Sequence, residues 1–163
     1  MARKRLAQYE LIESLGRGMF GEVFLAEDLS LGRRVALKVL HPQMSVDPQF
    51  VEGFEAEARL LVQLNHPNIV HLYQFGEVDG RYFIVMPYLS GGTLTQRLTQ
   101  DGRFSFEQAQ TLMVQVCGGL QKMHAQGYLH RDLTPHAEYN VRERRFPSAS
   151  AVTLVLPRWS LSR

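Results

Sequence analysis

The sequence predicts an α+β fold, in which five strands and one helix lead into a helical second half. Three observations carry that expectation. Short alternating runs bracket a cluster of glycines near the start, and apolar residues recur at helical spacing from Phe50 to Leu64. A helix-start signature at Ser105 then opens a long apolar stripe. A period of two marks strands and a period near 3.6 marks helices, because those are the repeats at which side chains return to one face.

Tyr9 to Leu15 and Glu22 to Ala26 read as strands around a Gly-rich turn, and Arg33 to Leu40 is apolar and β-branched. From Pro48 to Leu64, Phe50, Phe54, Ala58, Leu61 and Leu64 line one side, with Glu52, Glu55 and Glu57 between them, as in an amphipathic helix. Val70 to Phe75 and Tyr82 to Met86 are again strand-like, and Asp79-Gly80 is a turn dipeptide suited to a hairpin. Ser105-Phe106-Glu107-Gln108 has the form of a capping box, in which the Ser and Gln side chains satisfy each other's backbone N–H. Phe106, Ala109, Met113, Val116, Leu120 and Met123 continue as one stripe up to Gly127.

With 163 residues and 45% apolar content, the chain is long enough to bury a core. The single Cys117 excludes an internal disulfide framework and reads as a buried hydrophobe. Met1-Ala2-Arg3-Lys4-Arg5 is basic but no apolar run follows it, and no later stretch approaches a membrane span, so a cytoplasmic location is expected. From Ala137 onward five Arg face only Glu138 and Glu143, a net of +3, so the preceding residues carry −1 of the total +2. The basic character belongs to the tail, and charge gives a nucleic-acid role no support. All 13 Gly lie at or before Gly127 and the last Asp is Asp132. These shifts divide the chain into a basic extension over 1–8, a domain over 9–136 and a distinct basic tail over 137–163.

The first chemical constellation is Leu15-Gly16-Arg17-Gly18-Met19-Phe20-Gly21-Glu22-Val23. A Gly-x-Gly-x-x-Gly alone is weak evidence, since a dinucleotide-binding turn shares it. There a helix would follow, whereas Glu22 to Ala26 is strand-like, so these glycines sit at a hairpin tip. Missing side chains let backbone N–H groups approach phosphates there. Val35-Ala36-Leu37-Lys38 then puts one ammonium on an otherwise apolar strand. Alone, Lys38 reads as an edge lysine reaching solvent, and Glu57 as part of a solvated acidic face. Their joint occurrence changes the balance, because Asn65-His66-Pro67-Asn68-Ile69-Val70, Ile84 to Leu89 with Gly91-Gly92, and Leu129-His130-Arg131-Asp132-Leu133 follow in order.

On those residues, from about Tyr9 to Pro135, the chain resembles the Ser/Thr protein kinase family, most closely its bacterial type. The resemblance implies a protein-kinase-like fold with a complete N-terminal lobe, a five-stranded antiparallel sheet plus one helix, the first helices of a C-terminal lobe, and phosphoryl transfer from ATP to protein Ser/Thr hydroxyls. It implies that Gly16, Gly18 and Gly21 cover the ATP phosphates, that Leu15, Val23 and Ala36 sandwich adenine, and that Lys38 pairs with Glu57. Met86 would be the gatekeeper, and the backbone from Pro87 through Tyr88 to Leu89 would meet the adenine edge, where Pro87 forfeits its N–H. Asp132 would accept the substrate hydroxyl proton, with His130 and Arg131 in structural and regulatory roles. His66 and His71 lack metal-ligand spacing and read as structural.

The resemblance breaks inside its catalytic loop, where the family continues Leu-Lys-Pro-x-Asn and this chain has Leu133-Thr134-Pro135-His136-Ala137. Ala137 stands where Asn should hold magnesium, and Asn140 is displaced by three residues. No Asp follows Asp132, so the sequence contains no Asp-Phe-Gly and no metal ligand is assigned. The resemblance thus implies ATP and magnesium as cofactors but withholds the metal's ligands. Phosphoryl transfer depends on positioning and on neutralising charge, so this form is expected to be weak or inactive. The alternatives are a non-catalytic nucleotide- or partner-binding fragment and an inert truncated product. Synonymous codons for Val152 to Pro157 can be chosen that read Asp-Phe-Gly-Leu-Ala in another frame, so the tail is hypothesised to be frame-shifted kinase sequence. Coding DNA incompatible with that reading would refute it.

The resemblance implies that the stripe of Met113, Val116, Leu120 and Met123 would pack on helices that follow an activation segment; without them it is expected to be left half exposed, at roughly 1.5 kcal/mol per large side chain, since Ala151 to Leu156 offers at most one short strand to cover it. Such a surface predicts a partner or aggregation. The protein substrate itself is not legible.

Overall fold

A computed structural model describes residues 4–130, 133, 139–141 and 150–152; at Glu57, Leu61, 139–141 and 150–152 only the backbone is described. The described residues fall into two compact units, 4–63 with 71–88, and 64–70 with 89 onward.

The first unit contains β1 (Arg5–Leu6), β2 (Tyr9–Arg17), β3 (Gly21–Asp28), β4 (Arg33–Leu40), α1 (Pro42–Ser45), α2 (Pro48–Gln63), β5 (Gln74–Val78) and β6 (Arg81–Pro87). The strands form one antiparallel sheet in the order β1-β2-β3-β4-β6-β5. Five strands were expected and a sixth, β1, is present. Ala7 takes a positive φ of 50° and turns the chain so that Arg5 pairs with Glu10, while Leu6 becomes buried. Two residues at a turn leave no periodicity to read. The strand expected over Val70 to Phe75 forms later, at Gln74–Val78. Val70 and Leu72 are buried, so their alternation reports packing, but β6 pairs only from Gln74. Asp79 and Gly80 close that hairpin with φ of 49° and 72°, as a two-residue turn of right-handed twist demands.

One sheet face holds a core of Leu6, Tyr9, Ala26, Val35, Leu37, Phe83 and Val85. The other meets α2 through Phe54, whose ring lies 6.0 Å from that of Phe75. At the β3–β4 turn the buried Asp28 carboxylate accepts from Ser30 Oγ at 2.6 Å and Ser30 N at 3.1 Å. The Ser30 hydroxyl above all, then backbone N–H groups of Ser30 and Leu31 and the Arg33 charge, hold its carboxyl below the usual range against the cost of burial. The Arg33 guanidinium in turn lies 4.0 Å over the Tyr73 ring.

The second unit contains α3 (Leu94–Asp101), α4 (Phe106–His124), β7 (Tyr139–Val141) and β8 (Ser150–Val152). Both helices begin at full capping boxes, Thr93 with Gln96 and Ser105 with Gln108. Leu94, Leu112 and Leu120 pack around the buried Val116, and Asn68 Nδ2 donates to Gln115 Oε1 at 3.2 Å. The expected stripe is rotated. Val116 and Met123 are buried, but Phe106 and Met113 are 79% and 53% exposed and Leu112 takes the inward place. The inward face is set by what meets it, Leu94 of α3 and the 64–70 segment, where His66 lies beside Gly118. Cys117, expected to be buried, is exposed for the same reason. The tail, expected to offer at most one short strand, has β7 paired with β8 and β8 alongside α4, while Phe106 and Met113 remain exposed as expected of an uncovered stripe.

Candidate functional site

Cross-strand pairing brings the chemistry of the first unit into one row. Gly16 pairs with Val23, Val23 with Lys38, and Lys38 with Ile84, so these positions share a sheet face. Two residues along β4, on the same face, Ala36 pairs with Leu25 and with Met86. The half-buried Lys38 ammonium lies 5.8 Å from the ring centre of Phe54 on α2. Glu57 is one turn further along that helix, and its side chain is not among the described atoms.

The glycines at this row have different reasons to be glycine. A Cβ on Gly21 would collide with the Val39 carbonyl oxygen, so the close approach of β3 to β4 requires it. A Cβ on Gly16 would meet nothing within 4 Å, and no positive φ demands glycine there. The fold gives no reason for that absent side chain. Leu15, beside it, falls at a register shift between Ser14 and Gly16, and is 38% exposed. A bulge of this kind re-aims the extra side chain out of the ladder.

The hairpin tip is held from several directions. Gly18 N donates to Gly21 O at 2.8 Å, His41 N donates to Phe20 O at 2.9 Å, and His41 Nε2 lies 3.0 Å from Gly18 O. The Phe20 ring packs on Phe50 of α2 at 5.4 Å. Glu22 accepts from Ser14 Oγ at 2.6 Å and Arg17 at 2.9 Å, and the Ser14 hydroxyl, followed by Arg17, holds its carboxyl below the usual range. His41 was not anticipated from sequence, because a bond spanning 23 residues to a main-chain oxygen leaves no pattern.

The first unit therefore brings together Gly16, Gly18, Gly21, Val23, Ala36, Lys38 and Met86, with a half-buried Tyr88 at its end. Leu89 belongs to the second unit, where it is buried. His130 is buried and His66 Nδ1 accepts from Asn68 N at 3.1 Å, which fits structural roles for both. Arg131, Asp132 and Ala137 lie outside the described residues, as does the Asn140 side chain. Among the described residues no three His, Cys, Asp or Glu are grouped to hold a metal, and no helix is long and apolar enough to cross a membrane. Along this row the described residues offer the backbone amides of the Gly16–Gly21 hairpin and one ammonium, that of Lys38.

Residues 9–137 match the family model described as protein kinase domain. Serine/threonine-protein kinase PrkC of Bacillus subtilis is 37% identical over 134 residues, 82% of this chain and 21% of the relative. PknA of Mycobacterium tuberculosis is 41% identical over 133 residues, 78% and 31% of the two chains. Pkn1 of Myxococcus xanthus is 36% identical over 138 residues, 85% and 20%. The chain thus spans between 20% and 31% of the length of these relatives.

Proposed function

Because the chain belongs to the protein kinase family, in its bacterial serine/threonine branch, we propose that it binds ATP on the sheet face bearing Gly16, Val23 and Lys38, and that phosphoryl transfer in this form is weak or absent. The observation that carries the first part is the open space over Gly16, in the same cross-strand row as the Lys38 ammonium. A glycine its own fold does not need, next to a cation on an apolar strand, fits a phosphate-bearing ligand filling that space.

In this reading Lys38, oriented by Glu57, and the amides of the Gly16–Gly21 hairpin hold the phosphates. Leu15, Val23 and Ala36 enclose adenine, Met86 closes its back, and Tyr88 and Leu89 present backbone groups to its edge. Asp132 orients the protein hydroxyl and takes its proton. Magnesium would ordinarily neutralise charge on the transferred group, but the Ala137 methyl offers no ligand where the family's Asn would hold the metal. The chain's own residues therefore support binding better than transfer.

Thermal-shift titration of the 163-residue chain with ATP, with and without magnesium, tests this reading. At about 100 times Kd, binding should stabilise the protein by about 2.7 kcal/mol, a shift of several degrees, and Lys38→Met should abolish most of it. Labelling of a basic protein substrate should be equally near background for wild type and Asp132→Ala. No ATP shift would refute binding, and wild-type labelling well above Asp132→Ala would refute the loss of transfer.

A further inference from the structure

We propose that His41 is a positioning residue for nucleotide phosphates, acting by fixing the orientation of the peptide groups at the Gly18–Gly21 tip; this rests on the ATP-binding reading above. His41 engages the tip twice. Its backbone N–H donates to Phe20 O, and its Nε2 lies 3.0 Å from Gly18 O. A carbonyl oxygen only accepts, so Nε2 carries a proton and donates.

Both oxygens belong to trans peptides, since no peptide bond among the described residues is cis. In a planar trans peptide the C=O and the following N–H point in opposite directions. Anchoring Gly18 O and Phe20 O toward His41 therefore turns the N–H groups of Met19 and Gly21 away from it. One residue thus sets the direction of two donors on a loop whose glycines would otherwise leave those planes free to rotate. The Phe20 ring packs on Phe50, which ties the intervening side chain to α2 and opposes a swing of the tip as a unit. Donors fixed before the ligand arrives bind an anion with less ordering cost than donors that must be collected by it.

Pre-aligned amides should matter for phosphates and not for the base. Calorimetric titration of the full chain with ATP, ADP and adenosine, for wild type, His41→Ala and His41→Gln, separates the two. His41→Ala should weaken ATP and ADP binding roughly five- to ten-fold, the loss of one neutral hydrogen bond, while adenosine affinity stays within about two-fold. His41→Gln places an amide donor near the Nε2 position and should recover most of the loss. The amide resonance of Met19 should move in the nucleotide-free His41→Ala protein and return toward wild type in His41→Gln, while that of Gly21, whose peptide plane the retained backbone N–H of residue 41 still holds, should stay close to wild type in both. Equal ATP affinity in wild type and His41→Ala would overturn the proposal, as would an equal loss for adenosine, which would mark a merely structural role. If wild type binds adenosine but neither nucleotide more tightly, the phosphate-binding reading itself fails, and His41 with it.

Discussion

Asp28 shows how much of this fold rests on single polar groups. It is buried at the β3–β4 turn, and its Oδ1 accepts two hydrogen bonds from Ser30. Asp28→Asn would keep Oδ1 for Ser30 but turn a donor toward the Arg33 guanidinium, whose Nε lies 3.7 Å from Oδ2, leaving buried groups mismatched at a cost of about 1–3 kcal/mol. Thermal melting at neutral pH should therefore fall by several degrees. Since the folded-state carboxyl lies below its ordinary 3.8, its stabilisation is complete above that value and is lost as pH drops through the lower, folded one. The gap between wild type and Asp28→Asn should accordingly close in acid; a gap unchanged at low pH would contradict the assignment. At this scale the sequence was informative about placement: Gly16, Gly18 and Gly21 fall at the β2–β3 hairpin and Lys38 on the neighbouring strand, as their spacing indicates. His41 was not legible, since its partners are carbonyl oxygens that every residue type possesses.

Elements were legible where their boundaries are chemical. β4 runs from Arg33 to Leu40 as its β-branched run indicates, and α2 ends at Gln63, one residue short of the expected Leu64. The capping box at Ser105 is formed, with Ser105 Oγ accepting from Gln108 N at 3.2 Å and Gln108 Oε1 accepting from Ser105 N at 2.9 Å. Ser105→Ala should cost about 1 kcal/mol, read as a lower urea midpoint with unchanged slope. An unchanged midpoint would mean that α4 starts independently of its cap. Elements defined by partners were less legible. β1 exists because Ala7 turns, β5 is displaced to where β6 can pair, and the inward side of α4 is chosen by Leu94, His66 and Asn68. The apolar period of a helix reports that a face will be buried, but several adjacent rows satisfy it when both sides of the stripe carry large side chains.

For the whole molecule, that rotation leaves Phe106, Met113 and Val114 exposed at 79%, 53% and 65%. Met113→Lys combined with Val114→Glu should suppress concentration-dependent association in light scattering while leaving the melting temperature nearly unchanged, since neither side chain supports the fold. A large fall in melting temperature would show that these residues are covered by the chain itself. The order of strands has a further consequence, during synthesis. β4 lies between β3 and β6, and Val35 pairs with Pro87. β1 to β4 complete their local hairpins as soon as residue 40 has emerged, yet the other edge of β4 must wait for residues 81–87. At about 5–20 residues per second this is an interval of roughly 2–8 s. Throughout it, the nascent chain presents an apolar, unpaired edge, the point at which a ribosome-bound chaperone or a misplaced strand would compete with β6 for the centre of the sheet.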